Sequence, residues 1–533
     1  MRGIAVLVVV AVLTAGCSGG DDDDTDAAEP ASTTEGSIEL TVADPAGCEV
    51  LDEAACILPF PSNAFTVADE TTDTGLRVAF GADALPANAD GVRIDPAEWN
   101  RNDGFSPGSL MMTVVPDLDP EASALPPITD IELSLADDAP IVLVDADTGD
   151  RVPFWAELDA NAEDLARQAL IITPAVALLE GHRHVVALRG LVDTAGDPIE
   201  SADAFRAFRD RLDTGIPEVE ARREAMEQVF ADLDAAGVAR DDLYIAWDFT
   251  VASERSLSER LLHIRDDAFG ALGSDAPAFT VTETAAAGAA RIVRGTYEVP
   301  NYMTGAGEPG ETFNNDDDPN GIPTVNGTYT STFVCTVPTT AEPGTARAAL
   351  YGHGLLGTAD QVIGIGTVAA TVGVAFCATD FIGMSTYDVP NAAAVLADLG
   401  QFRSWADRLQ QGHLNFLYLG RLMRNEAGFA GDPAFQDAAG AGLLDGSAVF
   451  YLGASQGGIL GGATSAVAQD WERVVLAVPA MNYSVLLRRS IDFDEFAPVF
   501  ETAYPDELDR QLGLALVQML WDRGENQGYA QHL

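Results

Sequence analysis

Alternating and continuous apolar stretches divide the chain into two regions with different predicted architectures. In residues 38–272, short alternating segments prevail, such as 141–144 and 152–158 on either side of an Asp- and Gly-rich turn. Such alternation predicts half-buried strands, and a short polar turn between two of them predicts a β-hairpin. Segments 169–173 and 184–188 form a second pair of this kind. We therefore predict a β-rich mixed domain over 38–272.

The same region also contains helical periodicity. Apolar residues recur at helical spacing over 218–236 and 256–272, and a strand pattern over 243–251 separates them. The domain is therefore expected to end in two helices with one strand between them.

From about residue 275 the pattern changes to longer apolar strands and long helices. The runs at 372–377, 448–452 and 473–479 are apolar enough to be buried on both faces, as central parallel strands are. Helical periodicity covers 401–424 and 506–523. These patterns predict an α/β domain over 275–533.

A glycine-flanked serine follows the strand predicted over 448–452. The segment reads Gly453-Ala454-Ser455-Gln456-Gly457 and runs into a small-residue helix. Strand, G-x-S-x-G turn and helix form the layout of a nucleophile elbow, in which a strained turn exposes the serine hydroxyl. The pattern indicates acyl transfer with Ser455 as the nucleophile.

A second copy of the pattern, Gly104-Phe105-Ser106-Pro107-Gly108, is excluded on physical grounds. The residues before it are polar and predict no buried strand. The residue after a catalytic serine must donate its main-chain N–H to the oxyanion, and Pro107 has none. We interpret Ser106 as a turn serine.

The motif Tyr-Gly-His-Gly-Leu-Leu-Gly at 351–357 predicts the other half of a catalytic site. In α/β-hydrolases one oxyanion N–H comes from the loop after the third strand and the other from the residue after the nucleophile. The predicted donors are Leu355, with Gly354 as the alternative, and Gln456. His353 is expected to brace the turn through hydrogen bonds. The order and spacing of the motifs predict an α/β-hydrolase-type fold with a mostly parallel sheet.

The serine lacks an obvious catalytic partner in the sequence. In this fold the chain order is Ser, then Asp or Glu, then His, and His532 is the only histidine after Ser455. No strand pattern follows 473–479, so that strand is expected at an unprotected sheet edge. We expect a hydrolase domain that lacks its last strands through C-terminal truncation. His532 remains as a candidate base, while Asp492 and Asp494 follow the last strand without further support as the acid.

The N-terminal residues predict export and lipidation. Arg2 precedes an apolar run too short to span a membrane, which ends in Leu13-Thr14-Ala15-Gly16-Cys17. This is the layout of a lipoprotein signal peptide over 1–17, after which Cys17 carries the lipid. Residues 18–37 are rich in aspartate and predict an acidic disordered linker. We expect a lipid-anchored protein of a bacterial cell envelope, at the outer membrane or cell surface.

Cysteine usage agrees with an oxidising compartment. With Cys17 lipidated, Cys48, Cys56, Cys335 and Cys377 remain, which allow three pairings. Cys48 and Cys56 are close in sequence and are predicted to pair. A Cys335–Cys377 bridge fits neighbouring strands of a hydrolase sheet, and a free buried pair is the alternative.

Composition and one acidic loop limit the expected partners and cofactors. The formal charge is −54 and all 29 basic residues are arginine, the opposite of a basic nucleic-acid footprint. Asp316, Asp318 and Asn320 match the start of a calcium loop. The closing position holds Gly327 rather than glutamate, so an EF-hand is excluded. A solvated acidic turn is favoured over a looser structural calcium site, which stays open. No metal or organic cofactor is expected.

The motifs together resemble those of bacterial surface-lipoprotein lipases with a virulence-factor-lipase-type N-terminal domain. The likeness rests on the lipobox, on Leu58-Pro59-Phe60-Pro61-Ser62-Asn63, and on the motifs at 351–357 and 453–457. It implies hydrolysis of carboxyl esters of lipid or lysophospholipid, and residues 486–500 are then expected to form a lid over an acyl pocket. Two alternatives stay open: a catalytically inert, hydrolase-shaped binding module and a peptidase of related fold.

Overall fold

The computed structural model describes residues 36–44 and 46–533. The predicted signal peptide, the lipidation site Cys17 and almost all of the acidic linker lie outside the described residues. In the described part of the chain, no helix combines the length and the apolar character needed to cross a bilayer.

The first region is built on short strands. They are β1 (Gly36–Ser37), β2 (Thr66–Ala68), β3 (Leu76–Val78), β4 (Met111–Val114), β5 (Ile141–Asp145), β6 (Phe154–Leu158), β7 (Ala169–Pro174), β8 (Arg183–Arg189), β9 (Leu212–Asp213) and β10 (Leu243–Thr250). Two three-stranded antiparallel sheets, with orders β10-β8-β5 and β4-β7-β6, contain most of their residues. Aliphatic side chains from both sheets belong to one buried core.

The predicted strands exist, but the second predicted hairpin is wrong and the first is limited to the residues that flank its turn, where Val144 pairs with Arg151. β5 pairs with β8 and β6 pairs with β7, so the members of each predicted hairpin belong to different sheets. The Asp145 N–H still donates to the Asp150 carbonyl at 3.0 Å, but the chain passes from one sheet to the other after this turn. Alternation predicts which residues form a strand. The pairing partner is decided by which register buries the apolar faces in the common core.

The helices of the first region are α1 (Asp203–Arg209), α2 (Pro217–Glu220), α3 (Arg223–Ala235) and α4 (Glu254–Leu272). The single helix predicted over 218–236 is therefore divided between Glu220 and Arg223. α4 begins slightly earlier than predicted because Ser253 is its N-cap, with Oγ accepting from the Ser256 N–H at 3.2 Å.

A seven-stranded sheet dominates the second region of the described chain. Its strands are β11 (Phe279–Ala287), β12 (Ala290–Pro300), β13 (Thr328–Pro338), β14 (Ala346–Gly352), β15 (Val374–Ala378), β16 (Leu444–Ala454) and β17 (Trp471–Ala477). The order is β11-β12-β13-β15-β14-β16-β17. Pairing is antiparallel from β11 to β15 and parallel from β15 to β17. The architecture is mixed α/β, and only half of the sheet is parallel rather than most of it.

The helices of the second region are α5 (Gly366–Val372), α6 (Val389–Ala397), α7 (Phe402–Arg424), α8 (Gln456–Ala466), α9 (Tyr483–Leu486), α10 (Ala497–Ala503) and α11 (Glu507–Trp521). α7 is buried over most of its length. It contacts β14 and β16 on one side and α4 and α11 on others. α7 is therefore a core element although it has many polar residues.

β17 forms one edge of the sheet, as the sequence predicted. Val475 is 58% exposed and Val478, just beyond the strand, is 79% exposed. Aliphatic residues of a strand that lacks a neighbour remain in contact with water, which is the usual hazard of an edge.

Both predicted cysteine pairs are disulfides in the structure, Cys48–Cys56 and Cys335–Cys377. Cys335 and Cys377 lie directly opposite each other on the antiparallel pair β13 and β15. The second bridge therefore links two central strands of the large sheet.

The two regions share one continuous hydrophobic core. The Trp99 indole N–H donates to the Leu516 carbonyl of α11 at 2.7 Å. Arg523, just after α11, donates through Nη1 to Glu98 Oε2 at 2.8 Å. The end of α11 is thus held by the first region, which matters for the site described next.

Candidate active site

Ser455 is the single residue between β16 and α8. Its backbone angles, φ 54° and ψ −117°, are rare for a residue with a side chain. Its N–H donates to the Ala477 carbonyl of β17 at 3.0 Å, and its own carbonyl accepts from Gly458 and Ile459. These bonds hold the strained turn, which is how a nucleophile elbow presents its side chain.

Two glycines of the motif allow the backbone segments to approach each other. A Cβ on Gly453 would lie 1.9 Å from the Gly457 carbonyl oxygen. A Cβ on Gly457 would lie 2.2 Å from the Gly352 carbonyl oxygen. Because only glycine avoids these clashes with rigid backbone, the elbow can pack directly against the end of β14.

His353 braces this loop. Its ring is buried; Nε2 accepts the Phe381 N–H at 2.8 Å, so Nδ1 carries the proton and donates to the Gly354 carbonyl at 2.8 Å. Burial lowers the pKa of His353, which keeps the ring neutral. With both nitrogens engaged, His353 has no free atom with which to accept a proton from Ser455.

The loop places Leu355, one predicted oxyanion donor, at the same cavity as Ser455. The N–H of Gly354, the alternative donor, is already in a hydrogen bond in this structure, because it donates to Gln361 Oε1 at 2.8 Å. Leu355 lines the same cavity as Ser455 and Gln456. Gln456 is the first residue of α8, where an N–H has no acceptor within its helix. Leu355 and Gln456 are the remaining pair of donors.

Ser455 opens into an apolar cavity of about 170 Å³. The walls come from α6, α7, α11 and the segment after β17, and their side chains include Leu396, Phe402, Trp405, Tyr483, Phe493 and Trp521. The segment predicted as a lid contributes Leu486, Phe493 and Phe496. An apolar pocket with few polar groups is the common form of a small-molecule site.

Among the described residues, Ser455 Oγ makes no hydrogen bond to a histidine or a carboxylate. His532 instead lies with Nε2 3.0 Å from Glu180, at the first region. The structure therefore does not place His532 as a base for Ser455, because its Nε2 is engaged by Glu180 and its ring makes no hydrogen bond to Ser455. Asp492 is exposed and lines the cavity, with its N–H donating to Ser490 Oγ at 3.2 Å. Asp494 is exposed.

Ser106 has the surroundings of a structural turn residue. It is 1% exposed, and its Oγ accepts from the Gly108 N–H at 3.0 Å. The neighbouring Gly108 carbonyl accepts from Asn482, the N-cap of α9.

The acidic loop at 316–320 is organised by its own hydrogen bonds. Asp316 has a positive φ of 58°. Asp318 Oδ1 accepts the Asn320 N–H at 3.0 Å, and Asn320 Oδ1 accepts from Arg77 at 3.2 Å. One of the three predicted calcium ligands therefore faces a guanidinium.

The sequence did not reveal a group of buried polar residues that is linked to Gln456 through Tyr483. Tyr483 contacts the Gln456 side chain, and Gln518 contacts both Asp522 and Glu525. Burial raises the pKa of Asp522 to about 7 and that of Glu525 to about 8. The spacing 518, 522 and 525 is that of one helical face, which was the available signal. Because the chain has 83 acidic residues, nothing in the sequence distinguished Asp522 and Glu525 from the others.

The chain matches no protein-family model and no curated protein. Among solved structures it is similar to acetyl xylan esterase 1 from Thermoanaerobacterium sp. JW/SL YS485, at 17% identity and a TM-score of 0.29 over 50% of this chain and 75% of that one. An acetyl xylan esterase from Paenibacillus sp. R4 matches at 14% identity and a TM-score of 0.28, over 50% and 76%. A glucuronoyl esterase from Solibacter usitatus matches at 10% identity and 0.22, over 43% and 58%. Because these TM-scores are low, function has to be argued from the site itself.

Proposed function

We propose that this protein is a serine hydrolase that cleaves carboxyl esters with an apolar acyl group. The observation that carries the proposal is the position of Ser455, which occupies a strained strand-to-helix turn and opens into an apolar cavity. A serine held in this way is suited to attack a carbonyl carbon whose acyl chain lies among the apolar walls.

The reaction is an acyl transfer in two steps. Ser455 Oγ forms a bond to the ester carbonyl carbon while its proton passes to a base. As the tetrahedral intermediate collapses, the bond to the alkoxide oxygen breaks and the base returns the proton to it, so that the alcohol leaves. The N–H groups of Leu355 and Gln456 bind the oxyanion, and one such donor contributes about 3 kcal/mol. Water then releases the acid from the acyl-enzyme. The proposal therefore names Ser455 as the nucleophile and the Leu355 and Gln456 N–H groups as the oxyanion donors, and it names no base.

A lipid anchor at Cys17 belongs to the proposal and is supported by the lipobox. An anchored enzyme with an apolar cavity is suited to acyl esters at a membrane surface, such as lipid or lysophospholipid.

The test measures hydrolysis of p-nitrophenyl butyrate with and without added imidazole, which replaces the unassigned base. We expect imidazole to raise the rate in the native chain well above the rate in Ser455→Ala. The rate in Ser455→Ala reports the background reaction of imidazole itself with the ester. Ser106→Ala is the matched control, because it removes the other serine flanked by glycines, and it should behave as the native chain. Equal rates in the native chain and Ser455→Ala would contradict the proposal.

A second candidate is a non-catalytic module that binds acyl chains. It is favoured by the observation that, in the described chain, no histidine makes a hydrogen bond to Ser455. In that case calorimetry with a medium-chain fatty acid would show equal affinity for the native chain and Ser455→Ala, and hydrolysis would not depend on Ser455.

A further inference from the structure

Tyr483 contacts the residue that follows the nucleophile. Its Oη donates to Gln456 Oε1, and both side chains are buried, at 3% and 1% exposure. Burial raises the pKa of Tyr483, so the hydroxyl keeps its proton and remains a donor. Tyr483 is therefore a fixed donor to Gln456 over the whole range of ordinary pH.

Tyr483 is itself held by the end of α11. Its ring stacks on Trp521 with centroids 4.3 Å apart and planes 10° apart. Its N–H donates to Glu525 Oε1 at 3.3 Å. The next N–H, that of Ser484, donates to Gln518 Oε1 at 2.9 Å. The ring of Tyr483 and the Ser484 N–H are thus tied to α11, and the Tyr483 N–H is tied to the turn that follows it.

The position of Gln456 is sensitive because its neighbour is strained. Ser455 has a positive φ, a conformation that persists only when the surrounding contacts hold it. Gln456 is the first residue of α8, so its N–H points out of the helix. Its side chain is the part of the residue that Tyr483 contacts. Rotation of this residue would turn the N–H away from the oxyanion position.

We propose that Tyr483 is a positioning residue for the oxyanion site, holding Gln456 so that its main-chain N–H faces the carbonyl that Ser455 attacks. The inference rests on the proposed function, since it assigns Gln456 the oxyanion role. It adds a link that the nucleophile motif does not contain: the end of α11 supports the oxyanion donor through α9.

The test compares Tyr483→Phe with the native chain in the imidazole-supported hydrolysis of p-nitrophenyl butyrate. Phenylalanine keeps the stacking on Trp521 and removes only the hydroxyl. Tyr504→Phe is the matched control, because Tyr504 is also buried and its hydroxyl contacts a main-chain N–H, that of Leu399, at 3.1 Å. We expect Tyr483→Phe to lower kcat about tenfold with KM unchanged, and Tyr504→Phe to leave both constants unchanged.

A second measurement reads the amide itself. In protein labelled with ¹⁵N-glutamine, the Gln456 amide signal, assigned by its loss in Gln456→Ala, should move in Tyr483→Phe and stay in Tyr504→Phe. Unchanged kcat and an unmoved signal in Tyr483→Phe would overturn the inference while the Ser455-dependent reaction stands. A native chain no faster than Ser455→Ala would overturn the proposed function, and this inference with it.

Discussion

The two G-x-S-x-G segments share a pattern and differ in almost everything that makes a serine reactive. Ser106 is buried, with its hydroxyl engaged by the Gly108 N–H. Ser455 is half-buried, has a strained backbone and faces a cavity. Pro107 cannot donate to an oxyanion, whereas Gln456 can. The five-residue pattern therefore does not specify a catalytic role; the elements on either side of it do.

The glycines show what the pattern does specify. A Cβ on Gly104 would lie 2.6 Å from the Ala252 main-chain nitrogen, and one on Gly453 would lie 1.9 Å from the Gly457 carbonyl oxygen. In both segments glycine permits close contact between backbones. Close packing is common to structural and catalytic turns, which is why the same spacing arises in both.

The largest expected effect separates the two serines directly. Ser455→Ala should abolish covalent labelling by a fluorophosphonate probe in the presence of imidazole, because it removes the only atom that attacks. Ser106→Ala should be labelled as the native chain is. Labelling that survives in Ser455→Ala would make another residue the nucleophile.

A second contrast compares a glycine from each motif. Gly457→Ala places a methyl group against the Gly352 main chain, while Gly108→Ala meets mainly the side chains of Asn482 and Gln527. We expect Gly457→Ala to lower the free energy of unfolding by about 3 kcal/mol and to end the Ser455-dependent reaction. Gly108→Ala should cost about 1 kcal/mol, since side chains can move aside. Urea unfolding measures both; equal losses would mean that the elbow is no more tightly packed than the turn.

The buried carboxyls at the end of α11 predict a pH dependence. Glu525 faces Asp522, Gln518 and Tyr483, and its pKa is raised from 4.5 to about 8, mainly by burial. Asp522, flanked by Arg523, is also raised, to about 7. The folded chain thus keeps a proton that the unfolded chain releases. Stability from this group is present below a pH of about 4.5 and is lost as pH rises through about 8.

Glu525→Gln tests this dependence, because glutamine has the shape of the protonated acid. Relative to the native chain, the variant should gain stability as pH rises from about 5 to about 9. Thermal unfolding across this range measures the difference. Glu254→Gln, at an exposed carboxylate of α4, is the control and should show no such trend. A constant difference for Glu525→Gln would place the ionised form in the folded protein.

The smallest expected effect concerns the cavity, a feature of the Ser455 side of the comparison. Leu396→Trp fills part of the space and should lower hydrolysis of octanoyl relative to acetyl p-nitrophenyl ester about fivefold. Leu165→Trp, at a site that is 67% exposed, should leave the ratio unchanged. An unchanged ratio in Leu396→Trp would place the acyl chain elsewhere.

Much of the site was predictable because its signals are local. A buried strand, a glycine-flanked serine and a small-residue helix are neighbours in sequence, so periodicity and spacing predicted the turn at Ser455 and the loop at 351–357. A Cys335–Cys377 bridge was one of two open alternatives, because their strands are neighbours in a hydrolase sheet, and the structure shows the disulfide. The second predicted hairpin is wrong, and the first is limited to its turn, because alternation does not encode which strand is the partner. The hydrogen bond from the Gly354 N–H to Gln361 is a contact that spacing does not reveal.

By itself, the sequence determined the strand, turn and helix around Ser455 and the exposed sheet edge at β17. It also argued against Ser106 as a nucleophile, because Pro107 has no N–H to donate. Each depends on covalent geometry or on apolar runs within a few residues. The tertiary structure alone decided that His532 faces Glu180, that half of the large sheet is antiparallel, and that α11 reaches Gln456 through Tyr483. These contacts join residues that are distant in the chain, so patterns of periodicity and spacing over a few residues do not encode them.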